Sequence, residues 1–140
     1  MFYLKKSDSE DPSILLGASF ELYYYDEETK TWIERPNGES SDGLYSTNPT
    51  SGIITLSNAL CGSDPTPVIA DKTWYKLVEV KAPEGYILRD KPIYYYVSAI
   101  GVSPDKRPTD VGEKDFVTVS VGAGEPYPLS VTNSKLAFDI

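Results

Sequence analysis

The sequence predicts an all-β protein in which two sheets pack face to face. Tyrosine, which favours the half-exposed surface of a pleated sheet, occurs eleven times among 140 residues, against four Phe and two Trp. Eleven Pro and ten Gly are spread along the chain and mark turns. Short segments of alternating apolar and polar residues lie between these turns, and no segment has the period of an amphipathic helix. Packing two sheets together lets so many short strands each bury one face.

Several short segments carry the strand pattern. The clearest is residues 18–25, where Phe20 and Leu22 fall on one face and Glu21 falls on the other. The predicted strands are residues 2–6, 18–25, 31–33, 45–47, 53–56, 73–80, 92–98, 116–121 and 129–132. Two stretches rich in Pro and Gly are predicted loops, at 61–70 and 102–112.

Composition argues against several classes of partner and chemistry. The net charge is −8 and no run of Lys or Arg occurs, so nucleic acids and anionic membranes are not expected partners. His is absent, which removes the commonest general base and transition-metal ligand, and neither a cofactor nor a metal is expected. The single cysteine, Cys61, cannot form an internal disulfide and is expected to be a small buried side chain. No segment has the pattern of a signal peptide or a transmembrane helix.

Three groups of motifs are specific when they are taken in order. The first is LKKSD at 4–8, the second is SGIITL at 51–56 with EVKAPEGY at 79–86, and the third is LSVTNSK at 129–135. Together they resemble the Cna B-type, or SpaA-like, prealbumin-like domains of Gram-positive pilins and surface adhesins. The EVKAPEGY run is the most specific part, and the resemblance covers nearly the whole chain.

The resemblance implies an immunoglobulin-like or prealbumin-like β-sandwich whose first and last strands lie side by side. Many members of that family form a spontaneous isopeptide bond, which is an amide between side chains. It joins a Lys of the first strand to an Asn of the last, and a Glu assists the reaction. The matching residues here are Lys6, Asn133 and Glu79. Val80 stands where the family often has Thr, and its side chain is expected to point away from the reaction.

The resemblance also implies a setting for the chain. It would be a single structural domain, residues 1–140, within a longer cell-surface protein or pilus subunit. That protein would be extracellular and anchored to the cell wall, and neighbouring domains or pilus subunits would be its partners. The bond would form once in each chain, so the domain would not be an enzyme.

Strand alternation provides an independent test of these residues. Lys6 shares a strand face with the apolar Leu4, whereas Lys5 lies on the opposite face. Asn133 shares a face with Val131 in the same way. We therefore expect Lys6 and Asn133 to point into the core and Lys5 to point towards solvent.

The third polar residue, Glu79, shares a face with Tyr75 and Leu77 and is also expected to point inward. Burial favours the uncharged forms of amines and carboxyl groups, and only a neutral lysine amine attacks a carbonyl. A protonated Glu79 would donate a hydrogen bond to the Asn133 carboxamide oxygen and would move a proton as ammonia leaves. An unreacted buried Lys–Glu ion pair is the alternative end state.

Other functions stay open at this stage. An adhesin would bind a host glycan or protein through exposed tyrosines on the predicted strands, namely Tyr23, Tyr25, Tyr94 and Tyr96. A small-ligand carrier or hydrolase could use the same sandwich, although the chain lacks His and any Ser-based motif. Acidic clusters at 8–11 and 26–28 could hold Ca²⁺, but their spacing matches no recognised loop.

Overall fold

A computed structural model describes residues 3–37, 40–55, 73–99, 102–121 and 129–135 of the chain. Within these ranges the regular structure is all β, with nine strands and no helix, and therefore no helix that could cross a membrane. Cys61 and the predicted loop at 61–70 lie outside the described residues. The strands are β1 (Tyr3–Asp8), β2 (Ser19–Asp26), β3 (Thr31–Glu34), β4 (Tyr45–Ser46), β5 (Ile53–Thr55), β6 (Thr73–Lys81), β7 (Ile93–Ala99), β8 (Phe116–Val121) and β9 (Leu129–Asn133).

The strands form two sheets. The smaller sheet has the order β5-β1-β9, and the larger has the order β3-β2-β6-β7-β8 with β4 paired to β2. β1 runs parallel to β9 and β7 runs parallel to β8, while the other pairs are antiparallel. The first and last strands therefore lie side by side, and the predicted all-β sandwich is confirmed.

The main core contains side chains from both sheets. Leu4 and Val131 come from the smaller sheet, and they belong to the same apolar cluster as Phe20 and Leu77 of the larger one. Nearly all of these side chains occupy alternate strand positions, as the period of two predicted. The remaining buried members of this cluster are Ala18, Leu22, Tyr45, Tyr75, Tyr95, Val97 and Val119.

A second apolar cluster covers the outer face of the larger sheet. Trp74 and Tyr96 are buried there against Val111, which lies in the loop between β7 and β8. The indole nitrogen of Trp74 donates a hydrogen bond to the Asp105 carbonyl at 2.7 Å, and that of Trp32 donates to Asp110 Oδ2 at 2.9 Å. The loop between β7 and β8 thus covers an aromatic face of the larger sheet. This contact gives a structural role to part of that loop.

The tyrosines that an adhesin would use for binding are buried or half-buried. Tyr96 is only 2% exposed, and Tyr25 and Tyr94 are half-buried against the same outer cluster. Tyr23 is half-buried too, and its hydroxyl donates to Glu21 Oε1 at 3.0 Å. Tyr25, Tyr94 and Tyr96 pack on the face away from the main core, and the loop between β7 and β8 covers part of that face.

The first strand is longer than predicted. The sequence indicated a turn after Lys6, but β1 continues through Ser7 and Asp8, which align with Thr132 and Asn133 of β9. Asp, Ser and Lys are poor strand formers on their own, so the pairing with β9 decides the length of β1. Most other strand ends differ from their predicted positions by one residue.

Candidate functional site

Three polar side chains are buried together in the core. Lys6 comes from β1 and Asn133 from β9, and Glu79 comes from β6 in the facing sheet. The residues are 0%, 2% and 4% exposed respectively. Lys5, one position from Lys6, is half-buried. The site therefore joins the two sheets of the sandwich at the junction of the first and last strands.

The Glu79 carboxylate lies between the two nitrogens of the cluster. Lys6 Nζ is 3.0 Å from Glu79 Oε2. The side-chain nitrogen of Asn133, Nδ2, donates to Glu79 Oε1 at 2.8 Å and to the Ile87 carbonyl at 2.8 Å. Each carboxylate oxygen thus faces a different nitrogen.

The orientation of the Asn133 amide differs from the sequence prediction. We expected Glu79 to donate to the carboxamide oxygen, but Glu79 accepts from the amide nitrogen instead. The reason is the Ile87 carbonyl, because an atom close to both a carbonyl and a carboxylate must be a donor. Among the described residues, Asn133 Oδ1 has no hydrogen-bond partner.

Burial makes the Lys6 amine easier to deprotonate. It lowers the pKa of Lys6 from 10.5 to about 8, although the nearby Glu79 carboxylate opposes this shift. The positive charge of Arg89 adds to the lowering. Because burial disfavours the charged form, the neutral amine is more accessible at Lys6 than at an ordinary lysine. Lys6 is thus brought closer to its nucleophilic form.

The backbone of Gly52 packs closely against the backbone of Lys6 in β1. The Lys6 amide donates to the Gly52 carbonyl at 2.7 Å, and the Lys6 carbonyl accepts from Leu16 at 3.1 Å. Gly52 has a φ of 68°, and a Cβ atom added there would lie 2.6 Å from the Lys6 carbonyl oxygen. Both the backbone angle and the close approach therefore favour glycine here.

A second buried carboxylate, that of Asp8, lies at the end of β1. Its Oδ2 accepts from the Tyr86 hydroxyl at 2.6 Å and is 3.6 Å from Lys135 Nζ. Its Oδ1 accepts from the amides of Glu10 and Asp11 at 2.8 and 3.2 Å. The Tyr86 hydrogen bond is the largest cause of a pKa lowered from 3.8 to about 2, and the amide bonds and Lys135 contribute.

The lowered pKa of Asp8 predicts an acid-sensitive contribution to stability. The ionised carboxylate is favoured in the folded state, so its contribution is complete above about pH 4 and is lost as the pH falls towards about 2. In urea unfolding, wild type and Asp8→Asn should differ by a constant free energy from pH 5 to pH 7. The difference should shrink between about pH 4 and pH 2. A difference that does not change down to pH 2 would contradict this role.

The suggested calcium sites gain no support from the structure. The Asp8 oxygens accept the hydrogen bonds described above, and Asp11 Oδ1 accepts from the amide and hydroxyl of Ser13. Within the described ranges, no group of three or more acidic or cysteine side chains is placed to hold a metal ion.

Comparison with known proteins identifies the family. The family model of the SpaA prealbumin-like fold domain matches residues 1–110. The chain belongs to this family. No curated protein matches the sequence of this SpaA-family domain.

Solved structures resemble this SpaA-family domain over nearly its whole length. The group B streptococcus pilus 2b backbone protein is 23% identical with a TM-score of 0.49, and the match covers 96% of this chain and 40% of that one. The fimbrial protein FimP from Actonomyces oris is 20% identical with a TM-score of 0.47, and the match covers 96% of this chain and 29% of that one. The domain therefore spans less than half the length of either protein.

The contacts around the buried cluster include residues that the sequence analysis did not single out. Tyr86 ends the EVKAPEGY motif and Asp8 ends the LKKSD motif, yet their contact across 78 positions was not anticipated. Arg89 and Ile87 lie just beyond the motif and contact Glu79 and Asn133 mainly through backbone atoms. Backbone contacts leave no signature in side-chain identity.

Proposed function

We propose that this SpaA-family domain is a non-enzymatic, force-bearing module of a bacterial surface or pilus protein, closed by an isopeptide bond between Lys6 and Asn133. The observation that carries the proposal is the buried cluster in which Glu79 lies within 3.0 Å of both side-chain nitrogens. Holding the reacting groups together in a dry core replaces much of what an external catalyst would supply.

The reaction balances within the three side chains. The neutral Lys6 amine attacks the Asn133 side-chain carbonyl carbon, a bond forms from Nζ to that carbon, and the bond to Nδ2 breaks. The proton that Nζ must lose passes to Glu79, and Glu79 returns a proton to Nδ2, which leaves as ammonia. Glu79 ends in its starting form, with one oxygen facing the attacking nitrogen and the other facing the leaving nitrogen.

The unreacted cluster would contribute little to the stability of the core. A buried ion pair is often no better than apolar side chains of similar size. Lys6 Nζ and Asn133 Oδ1 also lack well-aligned hydrogen bonds within the described residues. Forming the amide would remove the buried amine charge, and this supports a reactive role over a stabilising ion pair.

The strand arrangement suits a module under tension. β1 and β9 are parallel neighbours, so pulling the chain at its two ends would slide one strand along the other. A bond from Lys6 to Asn133 would carry force from near the end of β1 directly to the end of β9. Most of the sandwich would then lie outside the force path.

The proposed setting is the outside of a Gram-positive cell, in a protein anchored to the cell wall. The Cna B-type resemblance supports this setting, and neighbouring domains or other pilus subunits would be the partners. With a single cysteine the chain cannot make an internal disulfide. A side-chain amide would supply a comparable covalent restraint.

Intact mass spectrometry tests the bond directly. The purified wild-type chain should be lighter than its sequence by one ammonia, after any loss of Met1 is allowed for. A peptide digest should contain one branched fragment that joins the segments around residues 6 and 133. A wild-type protein with its full sequence mass would rule out the bond and leave the ion pair as the end state.

A further inference from the structure

Residues 86–90, which begin at the last residue of the EVKAPEGY motif, lie along the outer edge of β9, and we call this segment the clasp. The Ile87 amide donates to the Ser134 carbonyl at 2.8 Å, and Arg89 Nη1 donates to the Thr132 carbonyl at 3.2 Å. Tyr86 also forms a β-bridge with Lys135. The clasp therefore follows the strand that carries Asn133.

Two backbone groups of the clasp contact the reacting cluster. The Ile87 carbonyl accepts from Asn133 Nδ2 at 2.8 Å, and the Arg89 amide donates to Glu79 Oε1 at 3.1 Å. The first contact sets which end of the Asn133 amide faces Glu79. The second fixes the carboxylate oxygen that faces the leaving nitrogen.

A side chain fastens the clasp to the first strand. The Tyr86 hydroxyl donates to the nearly buried Asp8 at 2.6 Å, and Asp8 aligns with Asn133 across the β1–β9 pair. The clasp is thus attached to both strands that the proposed bond would join. Its fastening point lies two residues from Lys6 along β1.

We propose that the clasp positions Asn133 and Glu79 for isopeptide formation, and that Tyr86 and Arg89 are positioning residues for this reaction. The inference rests on the proposed function. Tyr86 donates its hydrogen bond to Asp8 and acts through Asp8 and the clasp backbone. Arg89 acts through its amide on Glu79 and through its side chain on β9.

Reaction kinetics test the proposal. Wild type and Tyr86→Phe would be made in a cell-free reaction, with folding followed by protease resistance and ammonia loss by intact mass over time. Small misplacements of reacting groups slow reactions strongly, so we expect folded Tyr86→Phe to react at least roughly tenfold more slowly than wild type. Tyr23→Phe is the matched control, because it removes a tyrosine–carboxylate hydrogen bond away from the cluster.

A second measurement separates positioning from general stability. In an unreactive Lys6→Met background, NMR would follow hydrogen exchange of the Asn133 side-chain amide. Adding Tyr86→Phe should speed this exchange at least several-fold while backbone amides of the core stay protected. If Tyr86→Phe does not fold, Arg89→Ala, which keeps the backbone donor, is judged by the same two measurements.

The outcomes distinguish the two proposals. A folded Tyr86→Phe that reacts at the wild-type rate would overturn the proposed positioning role of the clasp. A wild type that never loses ammonia would overturn the isopeptide bond, and Asn133 exchange in the Lys6→Met background would then still decide whether the clasp holds the amide. If hydrogen exchange of the Asn133 side-chain amide is unchanged in both Tyr86→Phe and Arg89→Ala, the proposed positioning role of the clasp is overturned.

Discussion

Asn133→Ala and Lys6→Met should each lower the melting temperature by on the order of 15 °C. Either change would remove the proposed cross-link, which would close the loop from residue 6 to residue 133. For a loop of that length, the chain-entropy model gives roughly 5 kcal/mol of stabilisation. A chain of this size shifts its melting temperature by roughly 3 °C per kcal/mol. Calorimetry or thermal circular dichroism would measure the effect.

A double-mutant cycle shows whether the two losses share one cause. Each single substitution would already remove the whole of the proposed cross-link, so Lys6→Met combined with Asn133→Ala should be little worse than either alone. Lys5→Met, at the half-buried neighbouring position, is the matched control and should cause a much smaller change. Independent effects that simply add in the double variant would contradict a covalent link between residues 6 and 133.

Glu79→Gln should leave the chain at its full sequence mass. Glutamine keeps nearly the same shape, but it cannot take a proton from Lys6 and return it to the leaving nitrogen. Loss of a positioned acid–base group slows a reaction by roughly 10² to 10⁴, so ammonia loss should be undetectable on the timescale of wild-type maturation. Intact mass at successive times after synthesis would measure it.

Two variants control the Glu79 experiment. Glu84→Gln removes an exposed carboxylate from the turn after β6 and should react like wild type. Glu79→Ala should also block the reaction, and it should destabilise the fold more than Glu79→Gln because it leaves the Lys6 amine buried without its charge partner. Complete ammonia loss in folded Glu79→Gln would show that the proton passes by another route.

The burial of Lys6, Glu79 and Asn133 could be predicted from the sequence because strand alternation is a local property. The period of two distinguishes Lys6 from Lys5 within a single strand, and it orients Glu79 and Asn133 in the same way. The family motifs then paired residues that lie far apart in the chain, which periodicity alone could not do.

Tertiary structure decided the features that depend on long-range contacts. A loop from between β7 and β8 buries Tyr96, which the strand pattern alone could not show. The Ile87 carbonyl turns the Asn133 amide, so Glu79 faces nitrogen and not oxygen. Alternation reports which side of a strand a residue is on. Which atoms of other segments lie there depends on how those segments pack, and backbone donors and acceptors are the same for nearly every residue type.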